Sequence, residues 1–139
     1  MSKNTTIKPA VIVIDDSPMI LSFLKSYLGK TYEVTTYSST SEALEDLSEG
    51  RVDAECVLTD YHVEQDLTGL EFIQQLKEVD PIVPVLVLSG SVDINQRVKC
   101  LQNGAVDFVS KPFNPMELDA RIKNAIAISP QLNQYRNAM

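Results

Sequence analysis

Short, largely apolar runs alternate along this chain with longer stretches in which apolar residues return every third or fourth position. Ala10–Ile14, Ala54–Thr59, Pro84–Leu88 and Val106–Val109 are runs of the first kind, and their Val, Ile and Leu content predicts strands buried on both faces. Tyr32–Tyr37 alternates instead and is rich in β-formers, which predicts a further strand. Ser17-Pro18, a capping hydroxyl with proline just inside, opens a helix carrying Met19, Ile20, Phe23, Leu24, Tyr27 and Leu28, and Gly29 stops it. Ser38 to Ser41 offer caps for a short helix marked by Ala43, Leu44 and Leu47 and ended near Gly50. Leu70, Phe72, Ile73 and Leu76 predict a helix over Gly69–Val79, stopped before Pro81. Ile94–Leu101 forms another, closed by Asn103-Gly104, and Asn114-Pro115 starts a last one with Leu118, Ile122, Ala125 and Ile126.

Strict alternation of strand and helix predicts an α/β fold, a parallel sheet covered on both faces by helices and joined by right-handed crossovers. In such a sheet the carboxyl ends of the strands emerge on one edge, where ligands bind. Asp15 and Asp16 follow the first run, Asp60 follows Cys56-Val57-Leu58-Thr59, Ser89 follows Val85–Leu88, and Lys111 lies just beyond Val106–Val109. Three carboxylates, a hydroxyl and an ammonium are therefore expected to converge on one patch. Crowded carboxylates raise one another's pKa, and a hard divalent cation relieves the conflict. Oxygen ligands favour magnesium, manganese or calcium over zinc. A carboxylate beside such a cation can attack phosphorus and form an acyl phosphate, with the hydroxyl and ammonium steadying the transferring oxygens.

Composition narrows this picture. The 139 residues suit one domain, and 44% hydrophobic with 22% charged residues is ordinary for a globular chain. A net charge of −7 argues against direct nucleic-acid binding by this segment. Cys56 and Cys100 lack zinc-site spacing and are expected as buried free thiols. No signal-peptide core and no run near the ~20 apolar residues of a membrane span is present, so the expectation is a cytoplasmic protein without a membrane partner. The turn Asp15-Asp16-Ser17-Pro18 has no Gly-rich phosphate loop, which speaks against a Rossmann nucleotide site.

Taken together, Asp15-Asp16, Asp60, Ser89, Lys111-Pro112-Phe113 and the segment Gly104-Ala105-Val106-Asp107-Phe108 resemble the receiver domains of bacterial two-component response regulators, over about Ala10 to Ala127. The resemblance implies a flavodoxin-like, doubly wound five-stranded sheet in the order 2-1-3-4-5 with five flanking helices. It implies Asp60 as phosphoacceptor and magnesium ligand, Asp16 as a direct magnesium ligand, Asp15 as a ligand largely through water, and the backbone carbonyl of His62 as a further ligand. Manganese is the alternative ion. Ser89 would bond a phosphoryl oxygen, Lys111 would pair with Asp60 or its phosphoryl group, and Lys111-Pro112 would be cis. Phe108 occupies the switching aromatic position and would turn inward as Ser89 moves.

The implied function is a phosphoacceptor switch: a sensor histidine kinase or phosphotransfer protein donates to Asp60, and the face made by the Ile94–Leu101 helix, the fifth strand and the Pro115–Ala127 helix changes. A downstream effector domain or protein, or a second copy in a phosphorylation-driven homodimer, would read that face; its charges Arg97, Lys99, Glu117, Asp119, Arg121 and Lys123 permit cross-subunit ion pairs, and by pattern alone they equally fit ordinary solvated helix faces. Such a domain is a signalling module that catalyses its own phosphorylation and dephosphorylation, not an enzyme with a separate substrate. Residues 1–9 are expected as a flexible segment, 10–128 as the receiver domain, and 129–139 as a tail or the start of a linker.

Three features depart from the family's habit. Tyr61 to Gly69 is one residue longer than usual and lacks proline, position 89 is Ser where Thr is commoner, and position 108 is Phe where Tyr is commoner. His62, beside the reaction centre, is expected as an exposed side chain that tunes water access. The competing readings are a phosphorylation-independent interaction domain with the same fold, and a magnesium-dependent phosphatase with an aspartyl nucleophile. The second is weakened by Asp-Asp where Asp-x-Asp is expected.

Overall fold

In the computed structural model, which describes residues 7–91 and 93–138 (for 129–138 the backbone alone), strands and helices alternate throughout. They are β1 (Ala10–Ile14), α1 (Pro18–Leu28), β2 (Glu33–Tyr37), α2 (Thr40–Ser48), β3 (Cys56–Asp60), α3 (Gly69–Val79), β4 (Val85–Ser89), α4 (Ile94–Gln102), β5 (Ala105–Ser110) and α5 (Pro115–Ala138). All neighbouring strands are parallel, in the order β2-β1-β3-β4-β5, the expected topology. Of the segment expected to be flexible, residues 1–6 lie outside the described residues.

Successive strand residues point to opposite faces, and both faces are covered. Val11, Val13, Cys56, Leu58, Leu86 and Leu88 pack against Leu24 and Leu28 of α1 and Leu118 and Ile122 of α5. Ile12, Ile14, Val57, Val85 and Val87 pack on the other side against Ala43 of α2, Phe72, Ile73 and Leu76 of α3 and Cys100 of α4. Burial on both sides is why the central strands read as unbroken apolar runs. Both cysteines are buried free thiols, as expected. The edge strand β2 exposes Glu33 and half-buries Val34 to Thr36, which accounts for its mixed pattern.

Helix starts follow local chemistry. Ser17 Oγ accepts the Ile20 amide, with Pro18 first inside α1. Thr68 and Glu71 form a reciprocal capping box at α3. Asn114 Oδ1 accepts the Met116 and Glu117 amides at α5.

Element ends shift where tertiary contacts outweigh local pattern. Tyr32 belongs to the turn after α1, its amide bonding Leu28 O at 2.8 Å, so β2 begins at Glu33. β3 begins at Cys56 rather than Ala54 and takes in Asp60, which pairs in register with Leu88. β4 likewise takes in Ser89. In β5 the register jumps from Val85↔Ala105 to Leu86↔Asp107, leaving Val106 as an extra residue that is 47% exposed rather than core. Gly104 stands at φ +113 between α4 and β5, a backbone conformation that side chains disfavour. The backbone of α5 stays helical to Ala138, past the Ala127 end expected from the sequence.

From β1 the chain winds outward to β2, then crosses back to β3 on the other side of β1. That reversal opens a crevice at the carboxyl ends of β1 and β3, where an open α/β sheet binds its ligand.

Candidate acidic metal and acceptor site

The crevice gathers the expected groups. Asp15 follows β1 and is 1% exposed, Asp60 closes β3 at 7%, and Asp16 is exposed at the rim. Asp15, Asp16 and Asp60 each offer a carboxylate oxygen, all within 4.8 Å of one another. The Lys111 Nζ bonds Asp15 Oδ2 at 2.8 Å and pairs with Asp60 Oδ1 at 3.3 Å.

Local backbone holds these groups in place. Asp15 Oδ1 accepts the Ser17 amide at 2.8 Å, which tucks the carboxylate against the start of α1. Asp16 Oδ2 accepts the Glu64 amide at 3.1 Å from across the crevice. The Lys111 amide donates to Ser89 O at 2.8 Å, and the Lys111-Pro112 peptide is cis. Gly69 is needed for close approach: its amide meets Tyr61 O at 2.7 Å, and a Cβ there would lie 3.0 Å from Tyr61 Cα and 3.3 Å from Asp60 O.

Negative charge dominates the electrostatics of the crevice. Burial, then the neighbouring charge of Asp15, pushes the Asp60 carboxyl above its ordinary range, while Lys111 pulls the other way. Burial works against the Lys111 ammonium, but its bonds to Asp15 and the charges of Asp15 and Asp60 outweigh that and raise its pKa. Three carboxylates facing one ammonium leave negative charge in excess. An all-oxygen donor set with that surplus fits a hard divalent cation of the magnesium kind.

Ser89 is 1% exposed, one residue beyond the Asp60–Leu88 pairing, and its Oγ accepts the Ser91 amide at 3.1 Å. Phe108 lies inward, 6% exposed, with the Arg97 guanidinium 5.8 Å from its ring centre. His62 has an exposed ring, set edge-on to Tyr61 at 5.1 Å. On the α4–β5–α5 face, Arg121 bonds Asp107 at 2.7 Å and Glu117 at 2.9 Å within the chain, and Lys123 pairs with Asp119 at 3.5 Å.

One constellation is invisible to motif reading. Asp66 in the β3–α3 connection bonds Ser39 and Ser41 at the start of α2. In the sequence the serines read as caps and Asp66 as a loop residue, and their separation gives no pairing signal.

Known proteins resemble the chain along most of its length. The sequence profile described as the response regulator receiver domain matches residues 11–123. Hybrid signal transduction histidine kinase D of Dictyostelium discoideum is 33% identical over 123 residues, 87% of this chain and 8% of that protein. Response regulator protein TodT of Pseudomonas putida is 34% identical over 122 residues, 87% of this chain and 52% of its own length. The chain thus spans about half of TodT and a small part of the hybrid kinase. The solved response regulator receiver domain protein from Clostridium thermocellum has a TM-score of 0.79 at 29% identity, covering 94% of this chain and 99% of its own. The beryllofluoride-activated NtrC4 receiver domain dimer has a TM-score of 0.78 at 28% identity, covering 85% and 96%.

Proposed function

Because this chain belongs to the response regulator receiver domain family, we propose that it is a phosphorylation switch in which Asp60 accepts a phosphoryl group from a sensor histidine kinase or phosphotransfer protein. The observation that carries this reading is the placement of Asp60 at the end of β3, with carboxylate oxygens of Asp15 and Asp16 within 4.8 Å and the Lys111 ammonium at 3.3 Å. Magnesium, or manganese in its place, supplies when bound the positive charge that lets a phosphoryl group approach three carboxylates. Asp16 and Asp60 would hold it directly, Asp15 largely through water, and the His62 carbonyl would add a ligand.

An Asp60 carboxylate oxygen attacks phosphorus in line, and the bond from phosphorus to the donor nitrogen breaks as the new acyl phosphate bond forms. Lys111 follows the charge from the carboxylate to the phosphoryl oxygens. Ser89 exchanges its bond from the Ser91 amide for a bond to a phosphoryl oxygen. Phe108, already inward in this structure, is then held there, and Arg97 above it reports the change on α4. The same groups admit the water that later hydrolyses the acyl phosphate, so the domain catalyses its own phosphorylation and dephosphorylation.

The output surface is the α4–β5–α5 face, acting in the cytoplasm on an effector domain or protein, or on a second copy. Arg121 and Lys123, paired within the chain to Asp107 and Asp119, are the charges there that could instead pair with a second copy, and the activated NtrC4 receiver is a dimer. A phosphorylation-independent interaction domain gains nothing from a buried, charge-crowded Asp60, so the switch is the better reading.

Intact mass after incubation with magnesium and acetyl phosphate tests the proposal. A phosphate adduct in the wild type and none in Asp60→Ala is expected. An adduct that persists in Asp60→Ala, or no adduct in the wild type, overturns the assignment.

A further inference from the structure

The β3–α3 loop is held at two places. On the crevice side, the Glu64 amide donates to Asp16 Oδ2 at 3.1 Å. On the far side, the Asp66 carboxylate accepts the Ser39 hydroxyl at 2.7 Å, the Ser41 hydroxyl, the Ser41 amide at 3.2 Å and the Leu67 amide at 2.8 Å. Thr40, fully buried, donates its hydroxyl to Leu67 O at 2.9 Å and fastens the same joint. Between the two attachments the Asp66 amide bonds Val63 O at 3.1 Å and closes a four-residue turn. Gln65 in that turn has φ 57, and among the described residues it is the one non-glycine with positive φ. Such a conformation is disfavoured for a side-chain-bearing residue and persists only where its surroundings hold it.

We propose that Asp66 is a positioning residue for the magnesium site: anchored on Ser39 and Ser41, it holds the Val63–Asp66 turn so that the Glu64 amide fixes the Asp16 carboxylate. The inference rests on reading the acidic cluster as that site. Asp15 and Asp60 are buried and braced by Lys111, whereas Asp16 is exposed and water competes for its orientation. The Glu64 amide occupies one oxygen of Asp16 and leaves the other free to meet a cation. Release of Asp66 lets Gln65 return to an ordinary backbone conformation, which withdraws the Glu64 amide. The α2 amino terminus strengthens the anchor, since its dipole favours a carboxylate there. Burial works to raise the pKa of Asp66, but bonds from Ser39, Ser41 and the Leu67 amide hold it well below the usual carboxylate range, so the anchor stays ionised at neutral pH.

The test titrates magnesium into wild type, Asp66→Asn and Ser41→Ala, following amide resonances, in about 0.15 M salt where the through-space loss of a distant charge is screened. Loss of an outer hydrogen-bond partner typically weakens metal affinity by about 10–100-fold, and Asp66→Asn is expected near the lower figure. Ser41→Ala, which leaves every charge in place, moves in the same direction, and in both variants the Glu64 amide loses hydrogen-exchange protection. Tyr37→Phe, which loosens α2 by removing the bond to Asp46 but touches no loop anchor, keeps wild-type affinity. If Asp66→Asn does not fold, Ser41→Ala decides alone. Wild-type binding with unchanged affinity in both variants overturns the role of Asp66 and leaves the magnesium site standing. Absence of binding in the wild type overturns both.

Discussion

Asp60→Asn should make the metal-free protein more stable at neutral pH. At an effective dielectric of about 20, two carboxylates with oxygens within 4.8 Å of one another repel by about 3.5 kcal/mol or somewhat more. Asp15, buried, exerts that on Asp60 in full, and exposed Asp16 exerts about half as much through water. The Lys111 ammonium at 3.3 Å returns about 5 kcal/mol. The Coulombic contributions therefore nearly cancel, and desolvation decides the sign. The Asp60 side chain is 11% exposed, and taking a carboxylate out of water costs up to several kcal/mol. Asn keeps the shape without the charge, so a gain of about 1–2 kcal/mol is expected from the desolvation that is no longer incurred.

The pH dependence carries the same sign. Burial raises the folded-state pKa of Asp60 above its unfolded value of about 3.9, so the folded state binds the proton more tightly. Wild-type stability attributable to this group is then fully present below about pH 4 and is lost as pH rises through the folded pKa. The advantage of Asp60→Asn should vanish in acid and grow toward neutrality. Urea unfolding in EDTA at pH 4 and pH 7 measures it. Saturating magnesium should then reverse the order, because the ion stabilises the state that binds it and the neutral amide of the Asp60→Asn variant makes a poorer ligand than the carboxylate. An Asp60→Asn protein less stable than wild type at pH 7 in EDTA would refute the reasoning, since it would mean that the pair with Lys111 outweighs burial and crowding.

Lys111→Met removes the cation between two buried carboxylates and should cost about 3–5 kcal/mol at pH 7, with a smaller loss near pH 4, by urea unfolding. Burial, then the bond to Asp46, pushes the Tyr37 hydroxyl up to about 12, so its contribution is present below the unfolded value of 10.0 and lost as pH rises from there toward 12. Tyr37→Phe should therefore lower stability by about 1 kcal/mol at pH 7 and flatten part of the alkaline decline, read by thermal melts between pH 8 and about 11. Gly104→Ala should cost about 1–2 kcal/mol, because φ +113 is strained for a side chain and the new Cβ would lie 3.1 Å from Lys77 Cε. Its acetyl phosphate reaction should persist, which intact mass would check.

Much of the fold and site was legible because each signal is local. A strand buried on both faces must be apolar at every position, so Val11–Ile14 and Val85–Leu88 announced themselves. Ser17-Pro18 and Asn114-Pro115 start helices through bonds within one turn, so their chemistry is written in adjacent residues. Asp15, Asp16, Asp60, Ser89 and Lys111 each sit at a strand end, and parallel strands send those ends to one edge whatever the loops do. The alternation of elements and the inventory of the edge were therefore set by sequence alone.

Tertiary structure decided what depends on contacts between distant segments. Val106 looked like core and became the outward residue of a bulge, because β5 must add a residue to stay in register with β4. The ammonium of Lys111 could have served either acidic partner, and the fold seats it 2.8 Å from Asp15 and 3.3 Å from Asp60. Asp66 carried no signal, since its meaning comes from Ser39 and Ser41 brought to it by the packing of α2 beside α3. A hydrogen bond of this kind depends on position to a few tenths of an ångström, and only the packed core supplies that between residues so far apart in the chain.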